Sequence, residues 1–454
     1  MKPKKVLDEA KNLNKRYNFF VTINENYKKG IPVSVKDNIC TKGLRTTAGS
    51  RILDNYIPIF DATVIKNIKG KYGVVGKTTM DEFGFGSFSV NCAFNVPKNP
   101  LDETRTCGGS SGGSAGYTYA SKYSNSSIGE STGGSISCPA AFCSVVGITP
   151  TYGLVSRYGL IDYANSLDKI GTFGKTVKDA ARLLNDIAGH DEKDSTSIKK
   201  KKENYEKYLG KSPKLKIGII KEFSRGEGIN KEVDKEFWNG IKKLESEGIK
   251  YEDVSLKLTD IFVPAYYIIA MSESSTNLAK YSGMRYGASD ELKGTFNEYF
   301  SHVRSNNFGK EAKRRILLGT FMRMAGYRDA YYIKALKIRS LIINEYKKLF
   351  KNYDVLLTPT MSILPPKFSE IEKLSPVDVY MSDLLTVGPN LAGMPMISVP
   401  AKKDKPVGMH FIADHLREEK IIQIGDFYER IRNLNQKTTE KNIKEDIVWG
   451  LHKN

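Results

Sequence analysis

The chain has 454 residues, a formal net charge of +19, and 40% hydrophobic and 27% charged residues. This composition excludes a disordered chain, because it supplies enough apolar side chains for a packed core. The longest apolar stretch, Phe262–Met271, has ten residues and contains Pro264, so it is too short to cross a membrane as a helix.

The hydrophobic pattern of the first half predicts strands and helices in alternation. In chain order, the predicted elements are a helix at 5–15, a strand at 32–39, a helix at 61–68 capped by Asp61, a strand at 72–76, and an amphipathic helix from Thr176 to Gly189. Residues 190–213 are polar and lysine-rich, which predicts a loop.

The second half begins with a predicted strand–helix–strand unit and returns to strands near its end. The predicted elements are strands at 215–220 and 249–256 around a helix at 230–247, a helix-rich region at about 262–350, strands at 353–358, 396–400 and 407–411, and a helix to about 433. Strands at both ends with helices between them predict an α/β fold with a mixed central β-sheet, as a single domain over residues 1–454.

Cysteine and histidine usage predicts a cytoplasmic protein without a metal site. The five cysteines form no CxxC pair, and none of the five histidines lies in an HxH or HExxH arrangement. No apolar leader segment follows Met1. The net charge favours a polyanionic partner such as RNA or DNA, although a lysine-rich composition alone would give the same value.

Two Gly/Ser-rich segments interrupt the pattern of strands and helices: TCGGSSGGSAG at Thr106–Gly116 and GESTGGSISCPAAFC at Gly129–Cys143. Such composition is typical of flexible linkers. However, the charged residues within 106–156 are only Lys122 and Glu130. Glycines in a buried segment allow backbone N–H groups to approach a ligand closely. We therefore expect the two segments to form the floor of a site.

Two short motifs indicate alternative sites. GKT at 76–78 resembles the end of a phosphate-binding loop, but the first glycine of that loop would fall on Lys71. GSSGG at 109–113 matches the GxSxG nucleophile elbow, with Ser111 as the nucleophile and His410 or His415 as its base. The elbow requires a strong strand before it, and the residues before Cys107 do not predict one.

A third possibility is a serine activated by a lysine. A neutral lysine can act as the base for a serine nucleophile, and burial among apolar side chains favours the neutral form. Lys36 is a candidate, because strand alternation places it opposite Val33 and Val35. The alternative is a lysine on a solvated strand face, since lysines are rarely buried.

Longer motifs resemble those of the amidase signature family, whose members hydrolyse amides through a Ser-cisSer-Lys triad. These motifs are GIPVSVKDNI (30–39), GGSSGGSAG (108–116), STGGSISCPAAFCSVVGITPTYG (131–153) and SRYGL (156–160). Others resemble the A subunits of tRNA-dependent glutamyl/aspartyl amidotransferases within that family: GKTTMDEFGFGS (76–87), SRYGLIDYANSLDKIG (156–171), AGHDEKDST (188–196), KRRILLGTF (313–321) and DLLTVGPNLAGMPMISVP (383–400). The resemblance implies the amidase signature fold, with helices around the mixed sheet.

The resemblance also implies a catalytic triad. Lys36 corresponds to the family's base, and Ser110 to the bridging serine, whose peptide bond to Gly109 is expected to be cis. Ser135 corresponds to the nucleophile that forms the acyl-enzyme. A proton would then pass from Ser135 through Ser110 to Lys36.

By the same resemblance, the backbone N–H groups of Thr132, Gly133 and Gly134 form the oxyanion hole. Donors placed where a tetrahedral oxyanion develops contribute roughly 2.7–4 kcal/mol each to transition-state stabilisation. This expectation explains why glycines are clustered in the second Gly/Ser segment.

Two positions depart from the family pattern. Ser131 stands where the family usually has Asp, and Ser137 stands where it usually has Arg. We hypothesise that this Asp and Arg form an ion pair that is lost as a unit here, because losing both partners of a buried pair can be close to neutral. Alternatively, Glu130 replaces the Asp, which predicts an unpaired acid beside the site.

For the substrate, the resemblance assigns Arg315, in KRRI, and Asp383, in SDLLT. Free glutamine is a zwitterion, so its site needs a cation for the carboxylate and an anion for the ammonium group. Arginine offers a planar, bidentate match to a carboxylate. From the residues alone, a solvated basic helix face at 313–315 is the favoured interpretation of Arg315.

The function implied by the resemblance is that of a glutaminase component of a larger complex. It hydrolyses glutamine and supplies ammonia for amidation of mischarged Glu-tRNA(Gln), Asp-tRNA(Asn) or both. The amidotransferase B and C subunits are the implied partners. ATP and Mg²⁺ are used by the B subunit, no cofactor is bound by this chain, and most tRNA contact is made by the partner. Two alternatives stay open: a stand-alone amidase of small carboxamides, and a catalytically inactive scaffold of the same complex.

Overall fold

A mixed β-sheet of eleven strands runs through the computed structural model, which describes residues 2–226 and 228–432. Two further strands, β4 and β5 in the following list, form a small separate sheet. In chain order the strands are β1 (Phe20–Ile23), β2 (Ile31–Lys36), β3 (Tyr72–Thr78), β4 (Lys98–Asn99), β5 (Asp102–Thr106), β6 (Ser126–Ser131), β7 (Val146–Thr149), β8 (Lys169–Gly174), β9 (Ile217–Ile220), β10 (Tyr251–Val254), β11 (Val355–Pro359), β12 (Met396–Pro400) and β13 (Gly408–Ile412).

The strand order across the large sheet is β1-β3-β2-β6-β8-β7-β12-β13-β11-β9-β10. Strand β2 runs parallel to both β3 and β6, and β9 runs parallel to both β11 and β10. The remaining neighbours in the sheet are antiparallel. The predicted α/β class and the mixed sheet are therefore confirmed.

Helices occur between the strands along the whole described chain, and α8, α10 and α11 in the following list pack mainly on one another. They are α1 (Pro3–Tyr17), α2 (Thr63–Ile68), α3 (Gly112–Ala120), α4 (Ser137–Phe142), α5 (Val177–Ile187), α6 (Lys221–Ser224), α7 (Lys231–Ser246), α8 (Phe262–Asn277), α9 (Phe296–Asn307), α10 (Lys310–Arg323), α11 (Lys334–Leu349), α12 (Phe368–Ile371), α13 (Pro376–Met381), α14 (Leu384–Leu391) and α15 (418–432). Within the described residues, no helix is both long enough and apolar enough to cross a membrane.

The expected helix caps are right in one case and wrong in another. The Thr176 hydroxyl accepts a hydrogen bond from the Asp179 N–H and so caps α5, as predicted. The predicted cap at Asp61 is wrong, because helix α2 begins at Thr63 and its N-cap residue is Ala62. The Asp61 carboxylate instead accepts a hydrogen bond of 2.8 Å from the Lys42 N–H.

The regions between the strands differ from expectation in small ways. Residues 102–106 do form a strand, β5, but it pairs with β4 outside the large sheet. The predicted loop at 190–213 contains a short 3-10 helix at Tyr205–Tyr208. Helices α8 to α11 occupy the region expected to be helix-rich. The single-domain organisation over residues 1–454 stays a prediction.

The pairing of the parallel strands β2 and β6 determines where the side chains of Lys36 and Glu130 meet. Val35 on β2 pairs with Ile128 on β6, and both side chains are fully buried in one hydrophobic cluster. This burial fixes the register, because a one-residue slip would turn every side chain to the other face. Parallel strands end at the same edge of a sheet, so Lys36 at the end of β2 lies beside Glu130 near the end of β6.

Candidate active site

The side chain of Lys36 is completely buried at the end of β2. Its Nζ lies 2.7 Å from Ser110 Oγ, 2.9 Å from the Glu130 carbonyl oxygen and 2.9 Å from Glu130 Oε2. The alternative of a lysine on a solvated face is therefore wrong. The expectation that apolar side chains surround the amine is also wrong, because a carboxylate lies against it.

Ser110 lies in the loop between β5 and α3, and its peptide bond to Gly109 is cis, as expected. The Gly109 N–H donates a hydrogen bond of 2.8 Å to the Ser87 carbonyl oxygen. A Cβ atom on Gly109 would lie 2.6 Å from the Phe88 backbone nitrogen, so only glycine fits at this position. The tight packing of the loop explains why the first Gly/Ser segment is part of the core and not a linker.

Ser135 lies on the loop that connects β6 to α4. The residue is 7% exposed, whereas Lys36 and Ser110 are 0% exposed. The predicted nucleophile is thus the most accessible of the three, and it is the one that must contact a substrate. A direct contact between Ser135 and Ser110 stays a prediction.

The backbone N–H groups of Thr132, Gly133 and Gly134 donate no hydrogen bond to another backbone group within ranges 2–226 and 228–432. The neighbouring carbonyl groups are held in place. The Asn390 side-chain amide donates to the Gly133 carbonyl oxygen, and the Cys138 N–H donates to the Gly134 carbonyl oxygen at 2.8 Å. Free, fixed N–H groups are what an oxyanion hole requires. Their assignment to that role stays a prediction.

The two glycines of this loop are required by close packing. A Cβ atom on Gly133 would lie 2.8 Å from the hydroxyl oxygen of Tyr266 on α8. A Cβ atom on Gly134 would overlap the side-chain oxygen of Thr386 on α14. A side chain at either position would push the loop away from these helices.

Three side chains complete the surroundings of Lys36: Glu130, which the sequence offered only as a replacement for the family's Asp, Thr132, which it assigned only through its backbone N–H, and Asp168, which it did not assign. The Thr132 hydroxyl lies 2.8 Å from Glu130 Oε1 and 2.8 Å from Asp168 Oδ1. Burial, and then the nearby Glu130, raise the pKa of Asp168 well above its usual range. The isolation of Glu130 in an almost uncharged segment was a usable signal in the sequence, whereas Asp168 could be found only from the strand register.

The two departures from the family pattern lie in different surroundings. The Ser131 hydroxyl has no hydrogen-bond partner among the described residues, and Ser131 pairs with Lys169 across β6 and β8. The Ser137 hydroxyl lies 3.2 Å from His410 Nε2. The alternative in which Glu130 remains an unpaired acid is wrong, because Glu130 contacts Lys36. The hypothesis of an ion pair lost as a unit stays open.

Arg315 lies on α10 and is 2% exposed, so it is not part of a solvated basic face. Its Nε donates a hydrogen bond of 2.8 Å to Glu311 Oε1, and its Nη1 donates one of 2.6 Å to the Tyr163 hydroxyl. The guanidinium carbon lies 5.3 Å, 5.7 Å, 5.2 Å and 5.4 Å from the ring centroids of Phe85, Tyr163, Tyr267 and Tyr380, respectively. Arg315 also lines a cavity of about 250 Å³.

Asp383 precedes α14 and its side chain is buried. Its Oδ2 accepts hydrogen bonds from the Tyr267 hydroxyl at 2.7 Å and the Ser87 hydroxyl at 3.0 Å. Burial raises the pKa of Asp383 to about 6, although these two hydrogen bonds and Arg315 act in the opposite direction. Since Tyr267 contacts both Arg315 and Asp383, the structure brings the predicted cation and anion together.

The predicted substrate-binding residues, Arg315 and Asp383, also lie close to the predicted triad. The Ser87 carbonyl accepts from Gly109, which precedes Ser110, while the Ser87 hydroxyl donates to Asp383. On the other side, a Cβ atom on Gly84 would lie 3.5 Å from Ser110 Oγ and 3.6 Å from Tyr163 Cδ1. Ser87 and Tyr163, which sequence reasoning did not assign, therefore connect the two groups of residues.

The nucleophile elbow is not supported by the structure. The Ser111 hydroxyl donates a hydrogen bond of 3.1 Å to the Glu130 carbonyl oxygen. His410 Nε2 lies against Ser137, and His415 Nε2 lies 2.7 Å from the Ala392 carbonyl oxygen. Burial, and then the nearby Lys169, lower the pKa of His410 to about 3. Neither histidine is placed to act on Ser111.

The phosphate-binding loop is excluded as well. Residues 76–78 lie within β3, so they do not form a loop that leads into a helix. The Lys77 side chain is buried and donates to the Ile39 carbonyl oxygen. In the part of the chain that the structure describes, no three His, Cys, Asp or Glu side chains are grouped so that they could hold a metal ion.

Comparison with known proteins agrees with this architecture. A family model described as Amidase matches residues 1–422. The chain is 45% identical over 434 residues to the A subunit of glutamyl-tRNA(Gln) amidotransferase from Persephonella marina, covering 95% of this chain and 88% of that protein. It is 48% identical over 401 residues to the protein of the same name from Alkaliphilus metalliredigens, covering 87% and 81%.

Solved structures show the same relationship. The crystal structure of the A subunit of glutamyl-tRNA(Gln) amidotransferase from Thermotoga maritima matches with a TM-score of 0.79 and 38% identity, covering 93% of this chain and 89% of that chain. The native peptide amidase from Stenotrophomonas maltophilia matches with a TM-score of 0.77 and 25% identity, covering 95% and 93%. From the family model and these relatives, the chain belongs to the amidase family and has the amidase signature fold.

Proposed function

We propose that the chain is the glutamine-hydrolysing A subunit of a tRNA-dependent amidotransferase. The observation that carries this proposal is the pair of opposite charges, Arg315 and Asp383, that share Tyr267 beside the Lys36–Ser110 contact. An amidase of apolar amides needs no such pair, whereas a zwitterionic amino acid needs both charges. The names of the relatives that cover most of the chain support the same assignment.

The reaction begins at Ser135. Its hydroxyl oxygen attacks the side-chain amide carbon of glutamine and forms a C–O bond, while its proton passes through Ser110 to the neutral amine of Lys36. The amide oxygen becomes an oxyanion and is stabilised by the N–H groups of Thr132 to Gly134. These donors are not used by other backbone groups of the described chain, so they are available at the moment when charge develops.

Collapse of this tetrahedral intermediate breaks the C–N bond. The leaving nitrogen takes up the proton held by Lys36, returned through Ser110, and departs as ammonia. The acyl-enzyme on Ser135 is then attacked by water, which gives up a proton to the same relay. Glutamate leaves, and the three side chains return to their starting protonation state.

Substrate selection rests on the two charged side chains. Arg315 binds the α-carboxylate of glutamine through guanidinium N–H groups that do not contact Glu311 or Tyr163. Asp383 binds the α-ammonium group. Arg315 lines a cavity together with Ser87, whose hydroxyl donates to Asp383, and with Tyr380.

The proposed partners are the B and C subunits of the amidotransferase. Ammonia made here passes to the B subunit, where ATP and Mg²⁺ serve the amidation of mischarged Glu-tRNA(Gln), Asp-tRNA(Asn) or both. The chain itself requires no cofactor for glutamine hydrolysis in this scheme. Its net charge of +19 is compatible with a complex that binds tRNA.

The proposal is tested by co-purifying the chain with candidate B and C subunits and assaying glutamine hydrolysis with and without mischarged tRNA. We expect the complex to release glutamate from glutamine and to amidate the tRNA. Activity of the isolated chain on carboxamides without an α-carboxylate, with no response to the partners, would identify a stand-alone amidase. A complex that amidates tRNA only with added ammonia would identify an inactive scaffold.

A further inference from the structure

The Glu130 carboxylate contacts Lys36 directly and is connected to a second buried acid, Asp168, through the Thr132 hydroxyl. Glu130 Oε2 accepts from Lys36 Nζ at 2.9 Å and from Asn38 Nδ2 at 3.1 Å, while Glu130 Oε1 lies 2.8 Å from the Thr132 hydroxyl. The same hydroxyl lies 2.8 Å from Asp168 Oδ1. The side chains of Lys36 and Glu130 are 0% and 1% exposed, so water does not screen their contact.

A hydroxyl group carries one hydrogen and can donate it to only one of two carboxyl groups. Because Thr132 lies at hydrogen-bond distance from both Glu130 and Asp168, the second contact requires a hydrogen on one of the carboxyl groups. If both carboxyl groups were ionised, one of them would face the lone pairs of the Thr132 hydroxyl oxygen with no hydrogen between the two oxygens. One of the two acids is therefore protonated.

The partners of each acid indicate which one carries the proton. Glu130 faces the amine of Lys36 and the amide of Asn38, and both of these groups donate to it. Asp168 accepts from the backbone N–H groups of Tyr163 and Ala164 at 2.9 Å and 3.0 Å. Burial, and then Glu130, raise the pKa of Asp168 well above its usual range. The proton therefore belongs on Asp168 and the charge on Glu130.

Other charged groups act on this cluster from a greater distance. Asp162 and Arg157 act on Asp168, and Asp81 is influenced by both Lys36 and Arg315. The Asp81 carboxylate is occupied by the backbone N–H groups of Ser89 and Asn91. Glu130 is thus the carboxylate in direct contact with the lysine amine.

We propose that Glu130 is a positioning residue for the Ser135–Ser110–Lys36 relay: its carboxylate holds the Lys36 amine on Ser110 through a direct, buried ion pair. The inference rests on the proposed function only through the assignment of this relay. The sequence motifs assign Glu130 no catalytic part.

The geometry serves both protonation states of the lysine. As an ammonium group, Lys36 has three N–H bonds for Ser110, the Glu130 carbonyl and the Glu130 carboxylate. When the ammonium group gives up one proton, the two remaining N–H bonds can stay on Glu130, and the lone pair then faces the Ser110 hydroxyl.

The test measures the rate at which a fluorophosphonate, a serine-directed reagent, labels Ser135 across a pH series in the full chain, followed by intact-mass spectrometry. This reaction needs the relay but neither glutamine nor partner subunits. With Glu130→Gln, we expect the acidic midpoint of the rate profile to move to lower pH by at least about one unit, because an opposite charge is removed from the amine. With Asp168→Asn, which replaces a neutral acid with a neutral amide, we expect the midpoint to stay in place.

An unmoved midpoint in Glu130→Gln would overturn the proposal, since a merely structural role lowers the rate without moving the profile. A shift in Asp168→Asn as large as that in Glu130→Gln would also overturn it, because the charge would then lie on Asp168. Circular dichroism checks that each variant is folded, and Glu130→Ala replaces Glu130→Gln if the latter fails to fold. Labelling that persists in Ser135→Ala would instead contradict the proposed nucleophile.

Discussion

The Tyr267 hydroxyl donates a hydrogen bond of 2.7 Å to the Asp383 carboxylate, and the ring of the same tyrosine lies 5.2 Å from the Arg315 guanidinium carbon. One aromatic side chain therefore supports both charges that would bind an amino acid. Burial raises the pKa of Asp383 to about 6, close enough to neutrality for substrate binding to depend on pH.

The first prediction is a rise in KM for glutamine as pH falls through about 6. Below this pH the Asp383 carboxyl is neutral and no longer attracts the substrate's ammonium group, so KM should increase about tenfold per pH unit. KM is measured for glutamine and for a carboxamide that has the α-carboxylate but no α-amino group. An equal rise for both substrates would contradict the role of Asp383.

A Tyr267→Phe variant sharpens this test. The Tyr267 hydrogen bond lowers the pKa of Asp383, so its removal should move the onset of the KM increase to higher pH. The ring that faces Arg315 is retained in phenylalanine. An onset that moves to lower pH, or does not move, would show that Tyr267 does not stabilise the ionised carboxylate.

Ser135→Ala should abolish glutamine hydrolysis and leave amidation with free ammonia intact, because only formation of the acyl-enzyme needs this hydroxyl. Both activities are measured on the same preparation of the complex. Ser111→Ala is the matched control, since that hydroxyl donates only to the Glu130 carbonyl oxygen, and it should retain most of the glutaminase activity. Glutamine-driven amidation by Ser135→Ala would identify another nucleophile.

Lys36→Ala and Ser110→Ala should each lower kcat for glutamine hydrolysis by a factor on the order of 10⁴ or more, and the double variant should be little worse than either one. The reason is that the two side chains, 2.7 Å apart, act as one relay. The measurement is kcat for the two single variants and the double variant. Multiplicative losses would show that they act independently.

Arg315→Ala should raise KM for glutamine about 10- to 100-fold, since hydrogen bonds to charged groups contribute about 1.5–3 kcal/mol. Hydrolysis of a simple carboxamide should change much less. Arg314→Ala is the control from the same helix, because Arg314 also pairs with Glu311 but is more exposed. If both substrates are affected equally by Arg315→Ala, the arginine has a structural role only.

The last prediction concerns Ser131 and Ser137, which flank the predicted nucleophile Ser135. Ser137→Arg should lower stability, because it places an unpaired charge beside the buried His410 and costs roughly 3–5 kcal/mol. Adding Ser131→Asp should recover most of this loss. A double-mutant cycle on the free energy of unfolding measures the coupling, with glutaminase rates measured on the same variants. Strict additivity would contradict the hypothesis that this pair is lost as a unit.

The sequence was sufficient for features that lie in contiguous motifs. The cis bond at Ser110 and the position of Lys36 agree with what the family motifs imply, and these motifs are short contiguous runs. The α/β class agrees with the predicted succession of strands and helices along the chain. The surroundings of Lys36 could not be predicted, since Glu130 reaches it only through the parallel register of β2 and β6. Asp168 is placed by a further antiparallel pairing, in which Ser131 lies opposite Lys169.

Substrate-binding residues illustrate the same limit. Arg315 belongs to a lysine- and arginine-rich run whose sequence fits a solvated face, and only tertiary packing encloses it between aromatic rings. Tyr163 and Tyr267 lie far from Arg315 in sequence and carry no local pattern of a binding site. Pairing between distant helices and loops is decided by the fold and not by local propensity.

The proposed base and the proposed recognition residues are carried by different kinds of structural element. Lys36 and Glu130 lie on adjacent strands inside the sheet, whereas Arg315 lies on α10 and Asp383 lies at the start of α14. Side chains on interior strands cannot move without disrupting the pairing on both sides. Helix α10 can exchange residues around Arg315 with the proposed hydrolytic residues left in place, whereas α14 also packs against the loop of Gly133 and Gly134 through Asn390 and Thr386. Such a division would allow one scaffold to keep a fixed chemical step while its substrate changes, and it directs any redesign of specificity to the surroundings of Arg315 on α10.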